Sequence, residues 1–456
     1  MELFKHQQAA LDKSSNKNVF AYFLDMGTGK SLISILKTAD KLPCLVITKN
    51  GPLKYNWVEE INKWSNNKKI CLLDGGSDKK KNMLEGGEDY GWYICNYESI
   101  RLIRLHLEKL NLKTIILDES TAIKNPKAKQ SKAIMKLKEK IENRFLLTGT
   151  AVINNPLDLF NQFCFLDYRI LGFESFWAFK CFYSVMEPRK FGNIRFKEVV
   201  SFQNLDVLKK RMEPYSFIVK KEDCLDMPPK TYQSLICEMK PEMATIYKDL
   251  MEKLIAEFKG KIMVANTVLT KMIRLQQLLG GQIIYEDNTK AEIESPKMSV
   301  LLDLIESLQG QRLIVWARFV NEIKNIAAKL SSSGIKADCI YGEISPEQRQ
   351  LNIDAFKRGE VQVLICQQAT AGYGINLVEA KYACYFSNDY SLEHRQQSED
   401  RIYRIGQKEN ATIYDLVVNN SVDVSILKIL KEKRSWQDMI LNNKPDTLEN
   451  ILNGGI

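Results

Sequence analysis

From residue 18 onward the chain alternates short apolar runs with amphipathic stretches. The runs predict strands at Val19–Leu24, Cys44–Thr48, Ile70–Leu73, Trp92–Cys95, Thr114–Leu117 and Phe145–Thr148. Between them the spacing predicts helices, among them Ser31–Ala39 and Leu53–Trp64. A run such as Thr114-Ile-Ile-Leu117 is apolar at successive positions, which suits a strand covered on both faces of a parallel sheet with crossover helices. Near residue 156 the rhythm changes. Aromatic and helix-forming stretches, Phe173–Tyr183 and Glu242–Phe258, dominate to about residue 295 and strand signals thin out. The alternation resumes with helices at Ser299–Leu308 and Val320–Leu330 and strands at Leu313–Trp316, Ala337–Tyr341, Val361–Cys366, Tyr382–Phe386 and Thr412–Val418. The pattern predicts an α/β chain in three parts: a first lobe over 1–156, a mostly helical insertion over 157–295, and a second lobe over 296–456.

Composition adds limits. A chain of 456 residues that is 45% hydrophobic exceeds the size at which a single core stops growing, so more than one domain is expected. The net charge of +9 favours an anionic partner without identifying one. The ten cysteines lack any Cys-x-x-Cys pair and often sit in apolar runs, which reads as buried thiols in a reducing compartment. Three histidines far apart in sequence, His6, His106 and His394, argue against a histidine-based metal site. The polar start of the chain and the lack of a run of about 20 apolar residues predict a cytoplasmic protein with no membrane span.

Two short strings carry chemistry. Asp25-Met26-Gly27-Thr28-Gly29-Lys30-Ser31 follows a predicted strand and opens a helix. In such a loop, backbone N–H groups and the helix N-terminus hold phosphates, Lys30 reaches the β- and γ-phosphates and Ser31 holds Mg²⁺. Leu24 stands where the first glycine of the full signature would be, so the loop alone is an incomplete signal. Thr114-Ile-Ile-Leu-Asp118-Glu119 supplies the complement: a strand ending in a metal-holding Asp118 and a water-activating Glu119. Two acids after a strand are often mere solvated loop, but loop and acids in this order in one lobe point to nucleotide hydrolysis with Mg²⁺.

The wider chain resembles the Swi/Snf-type ATPases of the superfamily-two helicases. Leu3-Phe-Lys-His-Gln7 is similar to their opening motif, Leu45 through Trp57 to Trp64 to the next, and Asn96-Tyr97-Glu98 to a short motif on the nucleic-acid side. Asp118-Glu-Ser-Thr-Ala-Ile-Lys124-Asn125 and Leu146-Leu-Thr-Gly-Thr150 through Phe160 resemble the acidic and coupling motifs. In the second lobe Ala369-Thr-Ala-Gly372-Tyr-Gly374-Ile-Asn376 leads to Gln397-Ser-Glu-Asp400-Arg401-Ile-Tyr-Arg404-Ile-Gly406-Gln407, the most specific string. The resemblance implies two RecA-like lobes, adds Gln7 (reading adenine), Gly374 and Gln397 to the nucleotide set of Met26, Gly27, Thr28, Gly29, Lys30 and Ser31, and makes Arg401 and Arg404 arginine fingers. Three apart on an expected helix, both would present one face. Departures are Ser120-Thr121 in place of the family's Ala-His, Val219-Lys220-Lys221 in place of an arginine pair, and Asn388-Asp389-Tyr390-Ser391 in place of Asp-Trp-Asn-Pro.

The same resemblance implies a double-stranded DNA track gripped through its phosphates, with Lys49, Tyr97, Thr148, Arg318, Gln368 and Thr370 as contacts. The basic runs Lys79–Lys81, Lys209–Arg211 and Lys428–Arg434 read as solvated surface that could add attraction. The aromatics Phe173, Phe176, Trp177, Phe179, Phe182 and Tyr183 read as core. Three functions compete: a translocase on duplex DNA, a strand-separating or fork-remodelling helicase, and a nucleotide-gated clamp that hydrolyses little. Lys30, Asp118, Glu119, Arg401 and Arg404 together argue against the clamp. No nuclease, chromodomain, bromodomain or zinc module is legible, so a bare motor of bacterial or phage type is expected.

Overall fold

The computed structural model describes residues 3–51, 53–152, 154–191, 194–260, 265–284, 289–371 and 375–442. The strands are β1 (Val19–Leu24), β2 (Cys44–Thr48), β3 (Ile70–Leu72), β4 (Trp92–Asn96), β5 (Thr114–Asp118), β6 (Asn143–Thr148), β7 (Ser184–Phe191), β8 (Ile194–Phe202), β9 (Ser216–Val219), β10 (Lys230–Cys237), β11 (Gln282–Ile284), β12 (Lys290–Glu292), β13 (Leu313–Ala317), β14 (Ala337–Ile340), β15 (Val363–Gln367), β16 (Tyr382–Tyr385) and β17 (Ala411–Val418).

Two parallel sheets organise them. The first runs β3-β4-β2-β5-β6-β1-β9 and the second β10-β17-β16-β13-β15-β14. In the first sheet Phe20, Tyr22, Leu24, Val46, Ile116 and Phe145 face one apolar cluster, while Ala21, Phe23, Leu45, Ile47, Ile115 and Leu117 face another. The second sheet repeats the division: Ile314, Trp316, Leu364, Cys366 and Tyr385 on one face, Leu313, Val315, Val363, Ile365 and Cys384 on the other. Period-two alternation with both sets apolar is why these strands read as unbroken hydrophobic runs. Each buried Leu, Ile or Phe contributes about 1.5–3 kcal/mol of burial, and the sheets hold the loops at their strand ends against that background.

The chain divides into two compact units. One comprises residues 1–187, 197–226 and 433–456, the other 188–196 and 227–432. The expected helical insertion over 157–295 is therefore shared between the units, and it is not wholly helical. β9 extends the first sheet by pairing with β1, Ala21 to Ser216 through Leu24 to Val219. β10 extends the second by pairing with β17, Lys230 to Ala411 through Cys237 to Val418. β7 and β8 form a separate two-stranded sheet. Among the aromatics expected as core, Phe179 and Tyr183 are buried and Phe173 and Phe176 pack against them, but Trp177 is 56% exposed and Phe182 37%. Those two occupy the outer side of the helix Phe176–Tyr183, where the run of aromatics exceeds the width of one buried face.

Seven of the cysteines are buried and all ten are free thiols. Among the described residues no group of His, Cys, Asp and Glu could hold a metal ion by itself, and no helix is long and apolar enough to cross a membrane.

Candidate nucleotide and nucleic-acid sites

The phosphate-type loop leaves the buried strand β1 and enters the helix Lys30–Lys37. Gly27 and Gly29 both adopt left-handed backbone, φ 84 and 94, a conformation that disfavours side chains with a β-carbon. At Gly29 a β-carbon would also lie 2.3 Å from Gln7 Nε2. Gln7 is buried, donates to the Thr28 carbonyl (3.2 Å) and accepts from the backbone N–H of Phe4 (3.1 Å). His6 Nε2 lies 2.8 Å from the same Thr28 carbonyl. The opening glutamine therefore braces the loop, a contact its position in the sequence does not disclose. Thr28 Oγ1 donates to the Asp25 carbonyl at 2.7 Å, and Asp25 Oδ2 accepts from the Lys221 backbone N–H at 3.0 Å. Met26 and Ser31 are half-buried at the two ends of this turn, and the Lys30 ammonium closes over it to the Leu24 carbonyl, 2.8 Å away.

The acids stand at the end of β5, two strands from β1. Asp118 Oδ2 accepts from Trp57 Nε1 (2.8 Å) and Thr48 Oγ1 (3.2 Å), and its backbone carbonyl accepts from the Tyr97 hydroxyl (2.9 Å). Glu119 turns into left-handed backbone at φ 53, and its Oε2 accepts from Thr148 Oγ1 at 3.1 Å. A non-glycine residue in that region costs roughly 1–2 kcal/mol, so the turn that aims this carboxylate is held by its surroundings. Gly149 lies close enough to the phosphate-type loop that a β-carbon there would meet the Leu24 carbonyl at 3.3 Å. The Thr121 and Thr150 hydroxyls are buried with no hydrogen-bond partner among the described residues. Oxygen donors Ser31 and Asp118, a lysine and an open glycine cradle suit a nucleotide with Mg²⁺, a hard cation that takes few protein ligands beside phosphate oxygens.

Where the family usually has Ala-His, Ser120 donates to Gln162 Oε1 at 2.7 Å. Gln162, fully buried, donates in turn to the carbonyls of Ala151 and Asp158, each at 2.9 Å. The acidic turn is thus tied by polar bonds to the segment that follows β6.

In the second unit the helix Leu392–Glu399 stops before the expected arginine fingers, and residues 400–406 form turns. Arg401 and Arg404 therefore do not share a helix face. Arg401 is 2% exposed; its Nε donates to the Gln397 carbonyl (3.0 Å) and its Nη1 to the Ile375 carbonyl (2.9 Å). Arg404 is half-buried. Gln397 is buried too, its Nε2 on Glu393 at 3.1 Å. Gly374 lies outside the described residues. Beneath the turn, Arg395 grips Asp415 through two nitrogens (2.5 and 2.9 Å) and Glu399 through Nε (2.7 Å). Burial opposes its charge, yet the carboxylates outweigh burial and hold its pKa well above the usual arginine range. The Glu399 carbonyl then accepts from the backbone N–H of Ile402 and Tyr403.

The expected DNA contacts separate into two groups. Tyr97 and Thr148 are buried and serve Asp118 and Glu119, so both are corrected to supports of the acidic turn. Gln368 is also buried, its Oε1 accepting from the Asp389 backbone N–H at 2.9 Å. Lys49, Arg318 and Thr370 are partly exposed. Arg318 donates to Gln276 Oε1 (2.5 Å) and lies over the rings of Phe319 and Tyr390, while Thr370 donates to Gln367 at 2.8 Å. Four residues outside the expected site set, Trp57, Thr48, Gln162 and Lys221, prove to hold the site. Two of them had a signal: Trp57 lies in the motif-like run from Leu45 to Trp64, and Lys221 stands where the family has an arginine pair.

Comparison with known proteins finds two family matches along the chain. The SNF2-related domain matches residues 5–281, and the helicase conserved C-terminal domain matches residues 296–406. The DNA repair and recombination protein RDH54 of Saccharomyces cerevisiae (strain JAY291) is 25% identical over 94% of this chain and 52% of its own length. An uncharacterized ATP-dependent helicase of Mycoplasma pneumoniae is 24% identical over 94% of this chain and 41% of its own. This chain thus spans about half, or less, of the length of these relatives. A solved Sulfolobus solfataricus SWI2/SNF2 ATPase core in complex with dsDNA has 26% identity, 98% and 94% coverage and a TM-score of 0.44. The first match covers more than half of the chain, and the motifs that hold the loop and the acids lie inside it. This chain belongs to the SNF2-related, Swi/Snf-type ATPases of helicase superfamily two.

Proposed function

We propose that the chain hydrolyses ATP to drive movement along double-stranded DNA in a cytoplasmic setting. The observation that carries the reading is the placement of the Gly27–Ser31 loop after β1 and the Asp118–Glu119 turn after β5, both at carboxyl ends of one parallel sheet. Ligands of open α/β sheets bind at that edge. Lys30 would bind the β- and γ-phosphates, Gln7 would meet the base, and Glu119 would orient water and take its proton during attack on the γ-phosphorus. Ser31 and Asp118 would hold Mg²⁺, which neutralises charge on the phosphate oxygens. Arg404 would add positive charge in the transition state. The Ser120–Gln162 link would carry the state of the acidic turn to the segment that follows β6, the region whose motif couples hydrolysis to movement in the family.

DNA as the track is supported by the family and by a relative named for DNA repair and recombination. The deciding comparison measures phosphate release with duplex DNA, single strands, forked DNA and RNA side by side, together with displacement of a third strand from a triplex. Strongest stimulation by duplex, and third-strand displacement without duplex separation, is expected. Release of a labelled strand from a fork, or stimulation by RNA alone, would transfer the case to a helicase. Glu119→Gln should retain ATP affinity while turning over very slowly; loss of affinity would show that the two acids have exchanged roles.

A further inference from the structure

The β7–β8 sheet has no place in the reading so far. It consists of Ser184–Phe191 and Ile194–Phe202, joined to no other sheet. A two-stranded ribbon alone is marginal in water, but this one has a fixed root. Ser184 Oγ donates to the Lys180 carbonyl (2.6 Å), and the Gln203 backbone N–H to that of Tyr183 (3.0 Å). Asn204 Nδ2 donates to the Phe182 carbonyl (2.9 Å), and Phe202 meets Trp436 edge-on at 4.9 Å. Tyr183 belongs to the core of its unit. Beyond the root the ribbon is exposed on both faces: Val185, Lys190, Arg195, Phe196, Lys197 and Val200 all lie open.

The chemistry of those positions is specific in kind. Between residues 189 and 197 the chain has four cations, Arg189, Lys190, Arg195 and Lys197, and no acid. Phe196, 47% exposed, stands between the last two. Cations flanking an open aromatic suit a polyanion that also offers apolar surface. The major groove of B-form DNA is about 12 Å wide, admits a two-stranded ribbon, and presents phosphates at its rims and thymine methyls on its floor. The major groove of A-form RNA is deep and narrow and does not admit one.

We propose that the β7–β8 ribbon is a second nucleic-acid contact, separate from the strand-end loops, that enters the major groove of duplex DNA and selects B-form DNA over A-form RNA. This rests on the reading that the chain works on DNA, and the experiment separates the two. Affinity for duplex DNA and for duplex RNA of the same sequence is measured across salt concentrations for the wild type, for the triple variant Lys190→Gln/Arg195→Gln/Lys197→Gln, and for Phe196→Ala. Phosphate release with and without duplex DNA and the melting temperature are followed in parallel.

For the triple variant we expect weaker DNA binding by roughly 8-fold per lost phosphate contact at about 0.1 M salt, and a salt slope shallower by about 0.9 per contact. Its preference for DNA over RNA falls, while basal turnover and melting temperature hold. Phe196→Ala lowers DNA affinity and leaves the slope unchanged. Wild-type affinity and slope in the triple variant overturn the proposal and hand the ribbon to a protein partner with an acidic surface. Ribbon-dependent DNA binding without DNA-stimulated turnover would sustain the ribbon's role and refute the motor. A wild-type chain that binds no duplex refutes both.

Discussion

In the first unit, the residues proposed to meet ATP sit on turns at strand ends, and the supporting bonds come from behind. Gln7 and His6 brace Thr28, Trp57 and Thr48 hold Asp118, and Thr148 holds Glu119. In the second unit Arg401, one of the two expected arginine fingers, is itself the support: its guanidinium donates to the carbonyls of Gln397 and Ile375, and Arg404 is left as the partly exposed cation. One unit presents its chemistry and hides its props, whereas the other hides one of two similar side chains as a prop. Similar motif positions therefore do not imply similar work.

The sharpest way to break this contrast is the arginine pair. Arg404→Ala should cut stimulated turnover by about 10³–10⁵-fold, the range for arginine fingers, with an unchanged melting temperature. A loss of only a few-fold would place the charge on Arg401 and dissolve the distinction. Lys30→Ala should cost about 10²–10³-fold in turnover, comparable to removing a strong transition-state donor. Its fold should persist because Lys30 is half-buried and bonds only one backbone carbonyl; near-normal phosphate release would remove the loop from the mechanism.

Stability readings refine the comparison further. Arg401→Ala leaves two carbonyls without their buried donors, so unfolding free energy should drop by about 1–3 kcal/mol per orphaned group, seen as an earlier denaturant midpoint. A normal midpoint would mean that the guanidinium does not hold the turn. Gln162→Leu should cost a comparable amount, about 1–3 kcal/mol per orphaned group, since one side chain satisfies Ser120 and two carbonyls. Gly29→Ala closes the series with roughly 1–2 kcal/mol for left-handed backbone and a raised KM for ATP, because Gln7 must move aside. Unaltered KM there would show that the Gln7 contact is not part of the binding geometry.

Much of the fold was legible because its strands are covered on both faces: β1 and β2 run over the very residues that the apolar pattern marks, Val19–Leu24 and Cys44–Thr48. β9 and β10 escaped. β9 has four residues, and β10 is exposed at the four successive residues Thr231, Tyr232, Gln233 and Ser234 and joins β17 across some 180 residues of chain, a pairing that no local period reveals. The loop and the acids were legible because glycine, lysine and paired carboxylates act where they stand in sequence. Tyr97, Thr148 and Gln368 were assigned to DNA because motif resemblance fixes position along the chain and not the direction of a side chain. The helix expected through Arg404 ends at Glu399, whose side chain is claimed by Arg395, Lys230 and Tyr232.

The thiols carry one more consequence. Burial pushes Cys71, Cys164, Cys237 and Cys339 up to about 11 and Cys95 to about 12, and holds Cys44, Cys366 and Cys384 well above the ordinary thiol range. Thiolate is the nucleophile that attacks peroxide and maleimides, so these eight thiols are chemically quiet. Cys181 is the exposed one. It lies on the helix Phe176–Tyr183, three residues before β7. An electrophile or a fluorophore would thus find the foot of the ribbon first, ahead of the half-buried Cys224, whose thiol is also pushed up by burial.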